Sequence, residues 1–100
     1  MKNRVIYISG SITNDPNYLS KFNFWETMLK LKFPKAELKS PPYFVKDKEK
    51  WADAMVQCLN VLKDCTDIFI IPESNQSKGR DIEIMFADYL GINFISYYDL

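Results

Sequence analysis

One hundred residues, 47% hydrophobic and 15% aromatic, supply one compact core and leave too little for a second, so residues 1–100 are expected to form a single domain. Thirteen basic residues balance thirteen acidic ones, which removes the broad positive field that draws proteins to nucleic-acid backbone and excludes a nucleic-acid polymer as the expected partner. The apolar segment Val5 to Ile8 is too short for a signal peptide, and no apolar stretch approaches membrane-spanning length, so a cytoplasmic protein with no membrane partner is expected.

Arg4 to Ser9 is β-branched and aromatic and ends at Gly10, the pattern of a buried strand entering a tight loop. Asn17 to Phe33 places Leu19, Phe22, Trp25, Met28, Leu29 and Leu31 at largely helical spacing, with Asp15 or Asn14 as a cap and Pro34 as the stop. Ala36 to Lys39 reads as a short, weak strand. Ser40-Pro-Pro-Tyr-Phe44 reads as an extended turn, because proline restricts the residue before it. From Lys48 to Leu62, Trp51, Met55, Cys58, Leu59 and Leu62 recur on one helical face. Cys58 and Cys65 fit reduced core thiols, and no Cys or His pair has zinc spacing, so no metal site is expected.

Thr66 to Ile71 is nearly continuous apolar sequence after Asp67, as in a central parallel strand covered on both faces. A polar loop from Pro72 to Ser77 leads to a helix from about Gly79 to Leu90, with Gly91 as its stop, and Ile92 to Tyr97 makes a last strand. The alternation predicts an α/β fold: a three-layer flavodoxin- or Rossmann-like parallel sheet of four or five strands with helices on both faces. Ligands bind such sheets beyond the carboxyl ends of the strands, which marks the loops Ser9 to Thr13 and Pro72 to Gly79.

The stretch Ser77-Lys-Gly-Arg-Asp-Ile-Glu83 is the richest in chemistry. Ser77 suits a helix cap, the first-turn amides suit an anion, and Gly79 admits a close approach to backbone. Glu83 is not a capping-box glutamate, because Arg80 stands three residues after Ser77. Its carboxylate either complements the helix dipole, pairs with Arg80 on a solvated face, or turns back across the loop mouth. Ser9, Gly10, Ser11, Ile12 and Thr13 form a small hydroxyl-rich loop able to give amides and oxygens to a phosphate or sugar, although it is neither a Walker loop nor a dinucleotide fingerprint. Asp67 is either a turn residue or a group that contacts ligand or orients Tyr7. Trp25 and Trp51 fit the core; Tyr43 and Phe44 are the better candidates for stacking on a base.

Taken together, Tyr7-Ile-Ser-Gly-Ser-Ile12, Thr66-Asp67, and Ser77-Lys-Gly79 followed four residues later by Glu83 resemble the nucleoside 2-deoxyribosyltransferase superfamily, in order along nearly the whole chain. The motifs are most similar to those of 2′-deoxynucleoside 5′-monophosphate N-glycosidases, with a first strand ending Tyr-x-x-Gly-Ser-Ile and a helix opening Ser-x-Gly-x-x-x-Glu. Trp51, the helix after it and Leu90-Gly91-Ile92 resemble small uncharacterised members.

The resemblance implies that Glu83 attacks the anomeric carbon of a deoxyribose and forms a covalent glycosyl-enzyme, with Tyr7 and Asp67 near sugar and nucleophile. Ser77 falls where the monophosphate glycosidases bind phosphate and the transferases carry an aspartate, so it favours a 5′-phosphate. No cofactor is implied, and the family's habit of building sites between subunits implies a homo-oligomer, a dimer or larger. There are two departures. Position 13 is Thr where the glycosidases carry an arginine for the phosphate, leaving Arg80 or Lys78 as substitutes. The chain also ends at Leu100, whereas the enzymes continue into a segment that completes a neighbour's site. The expected function is an N-glycosidase or deoxyribosyltransferase acting on a small-molecule deoxynucleoside or its 5′-monophosphate. The alternatives are a module that binds a nucleotide without cleaving it, and a fold that has kept its shape and lost its site.

Overall fold

The computed structural model describes residues 3–13, 15–45 and 50–100. In chain order these form β1 (Val5–Ser9), α1 (Tyr18–Lys32), β2 (Glu37–Lys39), a one-turn α2 (Pro41–Phe44), α3 (Trp51–Leu62), β3 (Asp67–Ile70), α4 (Lys78–Leu90) and β4 (Asn93–Ile95), followed by a 3-10 turn at Tyr97–Asp99. The strands pair in parallel in the order β2-β1-β3-β4, giving the expected α/β architecture with four strands.

Side chains alternate across a strand, and the two central strands divide the core accordingly. Ile6 and Ile8 of β1, with Phe69 and Ile71, pack on one face against Phe22 and Leu29 of α1. Tyr7 and Ile68 pack on the other against Cys58 and Leu62 of α3 and Ala87 of α4. Each fully buried Leu, Ile or Phe contributes roughly 1.5–3 kcal/mol, so this two-sided cover explains why β1 and β3 read as unbroken apolar runs. The connection from β2 to β3 passes back across β1. The carboxyl ends of β1 and β3 therefore flank the point where the winding reverses, the usual ligand crevice of such sheets.

Two local expectations change. Ser40 is extended (φ −112°, ψ 116°), as a residue before proline must be, but Pro41 and Pro42 then open the helical turn α2. Proline suits the first helical positions, where no N–H is needed. Asn17, not Asp15, stands at the cap position of α1 and makes no side-chain cap; Asp15 accepts the Asn17 N–H at 2.9 Å from outside the helix. Asn14, the other expected cap, and the start of the second long helix at Lys48 lie outside the described residues.

Gly91 ends α4 in the left-handed region (φ 73°), as its position suggests, and an added Cβ there would meet nothing within 4 Å. Gly91→Ala is therefore expected to cost only the conformational penalty, about 1 kcal/mol, read as a lower urea midpoint with an unchanged slope. Among the described residues no helix is long and apolar enough to cross a membrane.

Candidate functional site

The alternation that divides the core also builds the site. Tyr7 and Ser9 are two residues apart on β1 and so share the face covered by α3 and α4. Helix α4 begins at the crevice, capped by Ser77, whose extended backbone lets its Oγ accept the Arg80 N–H at 3.2 Å. One turn later Glu83 turns inward and is only 4% exposed. Its carboxylate accepts a short hydrogen bond from the Tyr7 hydroxyl and another, at 2.7 Å, from Ser9 Oγ. Neither of the ordinary surface roles for Glu83 fits this placement, since Arg80 pairs instead with Glu73 at 3.0 Å.

Burial pushes the Glu83 carboxyl up to about 7, against the downward pull of hydrogen bonds from Tyr7, Ser9 and Cys58. Burial, and next the neighbouring Glu83 charge, push the Tyr7 phenol far above its ordinary range, so it stays protonated and donates to Glu83. The Cys58 and Cys65 thiols are free and buried, and burial raises each to about 11, which keeps them protonated. A carboxylate that ionises near neutrality, held at both oxygens by neutral donors, has the chemistry to serve as a nucleophile or as a base.

Glu83 faces a hollow of about 300 Å³, a size suited to a small molecule. Gly10, Ile12 and Thr13 after β1 form one wall, Trp51, Ala54 and Met55 of α3 a second, and Gln76 to Arg80 a third. Of the residues singled out from the sequence, Gly10, Ile12, Thr13, Ser77, Gly79, Arg80 and Glu83 line this space, and Tyr7 and Ser9 support Glu83 from the sheet. The close approach that Gly79 permits is that of Met55, whose sulfur would lie 3.0 Å from an added Cβ.

Asp67 is not brought to this cluster. It begins β3 at the amino end of the sheet, registered against Ile6, and so projects to the face opposite Tyr7. Its carboxylate takes the Asn93 amide at 2.7 Å and the Thr66 hydroxyl at 2.6 Å, with Arg4 at 3.6 Å. It is the first residue of a strand, satisfied by its neighbours, and it does not orient Tyr7.

The aromatic residues also sort differently. Trp25 packs in the core, its ring 5.2 Å from that of Phe69. Trp51, expected there too, is 43% exposed and lines the hollow, because it is the first residue of α3 and overhangs the end of the sheet. Tyr43 instead donates its hydroxyl to Asn23 Oδ1 at 2.7 Å, outside the hollow, and Phe44 packs behind Tyr7 with ring centres 6.3 Å apart.

A second polar cluster has no counterpart in the sequence reading. Glu73, just after β3, accepts the Ser11 N–H at 2.8 Å, the Ser11 hydroxyl at 2.7 Å and the Lys21 ammonium at 2.7 Å, besides pairing with Arg80. Lys21 also reaches Asp15 at 2.6 Å. Burial opposes ionisation of Glu73, but Lys21 and Ser11 outweigh it and hold its carboxyl below the ordinary value. Hydrogen bonding to Lys21 lowers Asp15 as well. Gly10 makes room for this junction: a Cβ there would lie 2.7 Å from Ile71 Cδ1 and 3.3 Å from Glu73 Oε2. Among the described residues no group of three or more His, Cys, Asp or Glu is placed to hold a metal ion.

Residues 4–96 match a family model described as "Domain of unknown function (DUF4406)". No curated protein matches the chain. Among solved structures, a 2-desoxiribosyltransferase from Leishmania mexicana superposes with a TM-score of 0.70 at 17% identity, over 94% of this chain and 63% of that one. A conserved protein from Enterococcus faecalis V583 superposes with a TM-score of 0.65 at 15% identity, over 95% of this chain and 63% of its own. The chain thus spans less than two thirds of the length of either structure and has a nucleoside 2-deoxyribosyltransferase-like fold.

Proposed function

The chain belongs to the DUF4406 family, whose description names no activity, and we propose from its site that it breaks or transfers the N-glycosidic bond of a deoxynucleoside or its 5′-monophosphate. The observation that carries this reading is the buried Glu83 carboxylate, held by Tyr7 and Ser9 at the edge of a hollow of small-molecule size. The fold shared with a 2-desoxiribosyltransferase supports the choice of substrate.

In this reading a Glu83 oxygen bonds to the anomeric carbon as the bond from that carbon to the base nitrogen breaks, and the electron pair leaves with the base. Water, or a second base, then displaces Glu83 from the sugar. In hydrolysis one proton of that water ends on the released base, and the carboxylate is regenerated. Tyr7 and Ser9 are positioning residues: they set the direction of the carboxylate and offset the loss of water around it. The loop Ser9 to Thr13 and the start of α4, with Ser77, Gly79 and Arg80, surround the sugar side of the hollow.

Among the described residues Trp51 is the one large aromatic side chain lining the hollow, and in this reading it stacks on the base. Stacking of this kind is worth roughly 1–3 kcal/mol, so Trp51→Ala is expected to raise KM about tenfold or more while leaving kcat nearly unchanged.

The deciding experiment incubates the protein with deoxynucleosides, their 5′-monophosphates and ADP-ribose, then separates free base from retained ligand by chromatography with mass detection. Free base from wild type and none from Glu83→Ala is the expected result. Intact ligand recovered without any base would replace the glycosidase by a binding protein.

A further inference from the structure

We propose that Glu73 is a specificity-determining residue, a built-in anion that occupies the place where a substrate's phosphate would be held, so that the site selects unphosphorylated nucleosides. This rests on the reading of the hollow as a nucleoside site.

The donors that converge on Glu73 form the set a phosphate group calls for: a backbone N–H and a hydroxyl from Ser11, the Lys21 ammonium and the Arg80 guanidinium. They meet between the carboxyl ends of β1 and β3, at the reversal of the sheet's winding, where such folds receive ligands. Glu73 already takes all four. The junction is also neutral: Lys21 and Arg80 are balanced by Asp15 and Glu73. A phosphate monoester, carrying close to two negative charges near neutral pH, would meet a carboxylate at that junction, where Lys21 and Arg80 are already paired.

Nor does the carboxylate have an easy way out. The Glu73 side chain is 7% exposed and those of Lys21 and Arg80 are 15% and 14% exposed, so displacing it would leave the largely buried Arg80 without its carboxylate and Lys21 with Asp15 alone. Arg80 is tied further by its second nitrogen to the Asn75 carbonyl at 2.8 Å. It therefore does not stand in for the phosphate-binding arginine absent at position 13. The loop packs closely beside the same group, since a Cβ on Gly10 would clash first with Ile71 and then crowd Glu73 Oε2 at 3.3 Å.

The test compares binding and cleavage of deoxyadenosine, deoxyguanosine, deoxycytidine and thymidine with those of their 5′-monophosphates, and measures melting with and without inorganic phosphate. It uses wild type, Glu73→Gln and Glu73→Ala. Wild type is expected to prefer nucleosides by about tenfold or more in Kd or kcat/KM and to show no melting shift with phosphate. In the variants that preference is expected to fall about tenfold or more, and phosphate is expected to raise the melting temperature, because Arg80 has lost its carboxylate and Lys21 keeps only Asp15. A wild type that uses monophosphates as well as nucleosides overturns the proposal without any variant. So does a folded Glu73→Gln protein with the wild-type preference and no response to phosphate. If no nucleoside binds at all, the glycosidase reading fails, and the phosphate response of Glu73→Gln still decides the role of Glu73.

Discussion

Glu83→Gln is expected to reduce release of base by a factor on the order of 10⁴, the scale of loss when a nucleophile is removed while the binding groups remain. Glutamine keeps the size of the side chain and its contacts with Tyr7 and Ser9 but cannot form the glycosyl ester, so KM should move little while kcat collapses. The wild-type pH profile should carry a signature of the same carboxyl. With burial raising Glu83 to about 7, the nucleophile is protonated in acid, and kcat/KM should fall about tenfold per pH unit below that point and level off above it. Tyr7 of β1 and Cys58 of α3, which face Glu83, both stay protonated past neutrality, so neither masks that limb. Quenching wild type during turnover should show protein heavier by one deoxyribosyl group, and the Gln variant should show none. A wild-type profile flat from pH 5 to 9, or full activity in the Gln variant, would remove Glu83 from the chemistry.

How far this site is legible before the chain is folded depends on the range of each signal. The two halves of the Glu83 cluster are each locally legible, although the hydrogen bonds that join them span 76 and 74 residues. Ser77 caps α4, Glu83 follows one turn later, and Tyr7 and Ser9 are two apart on a strand, so their shared face is implicit in the spacing. What is not local is the register of β3 against β1. Tyr7 lies opposite Ile68, and this alone sends Asp67 to the other face of the sheet, where its carboxylate serves Asn93, Thr66 and Arg4. Trp51 misleads for a related reason. It falls on the apolar stripe of α3, but the stripe begins beyond the sheet, so its first member overhangs the hollow. At Ser40 the rule about residues before proline holds for that residue, yet it does not prevent the prolines themselves from starting a helical turn. Glu73 is the least legible. Its partners come from the loop after β1, from α1 and from α4, and no spacing in the chain connects residues 11, 21, 73 and 80.

The same Glu83→Gln substitution is expected to stabilise the protein in base and not in acid. In the folded chain Glu83 ionises near 7 instead of its ordinary 4.5, because its burial disfavours the charge. A group whose folded pKa is raised binds its proton more tightly in the native state. Its stabilising contribution is complete below about 4.5 and is lost as pH rises through about 7. The shift corresponds to about 3 kcal/mol at full ionisation. Gln carries no charge at any pH and resembles the protonated acid in shape, while the Tyr7 and Ser9 hydroxyls can turn to accept from its amide. The difference in stability between variant and wild type should therefore grow by about 3 kcal/mol from pH 4.5 to pH 9, roughly 10 °C or more in Tm for a chain of this size. Asp15 and Glu73, whose pKa values are lowered, act in the opposite sense: their contributions are present above their unfolded values and fade as pH falls. Because both proteins carry them, they cancel in the difference. A difference that stays constant with pH would mean that Glu83 ionises as easily in the folded chain as in the unfolded one. The protein would then hold no destabilising charge in its core, and the main physical reason for assigning the chemistry to that carboxylate would be gone.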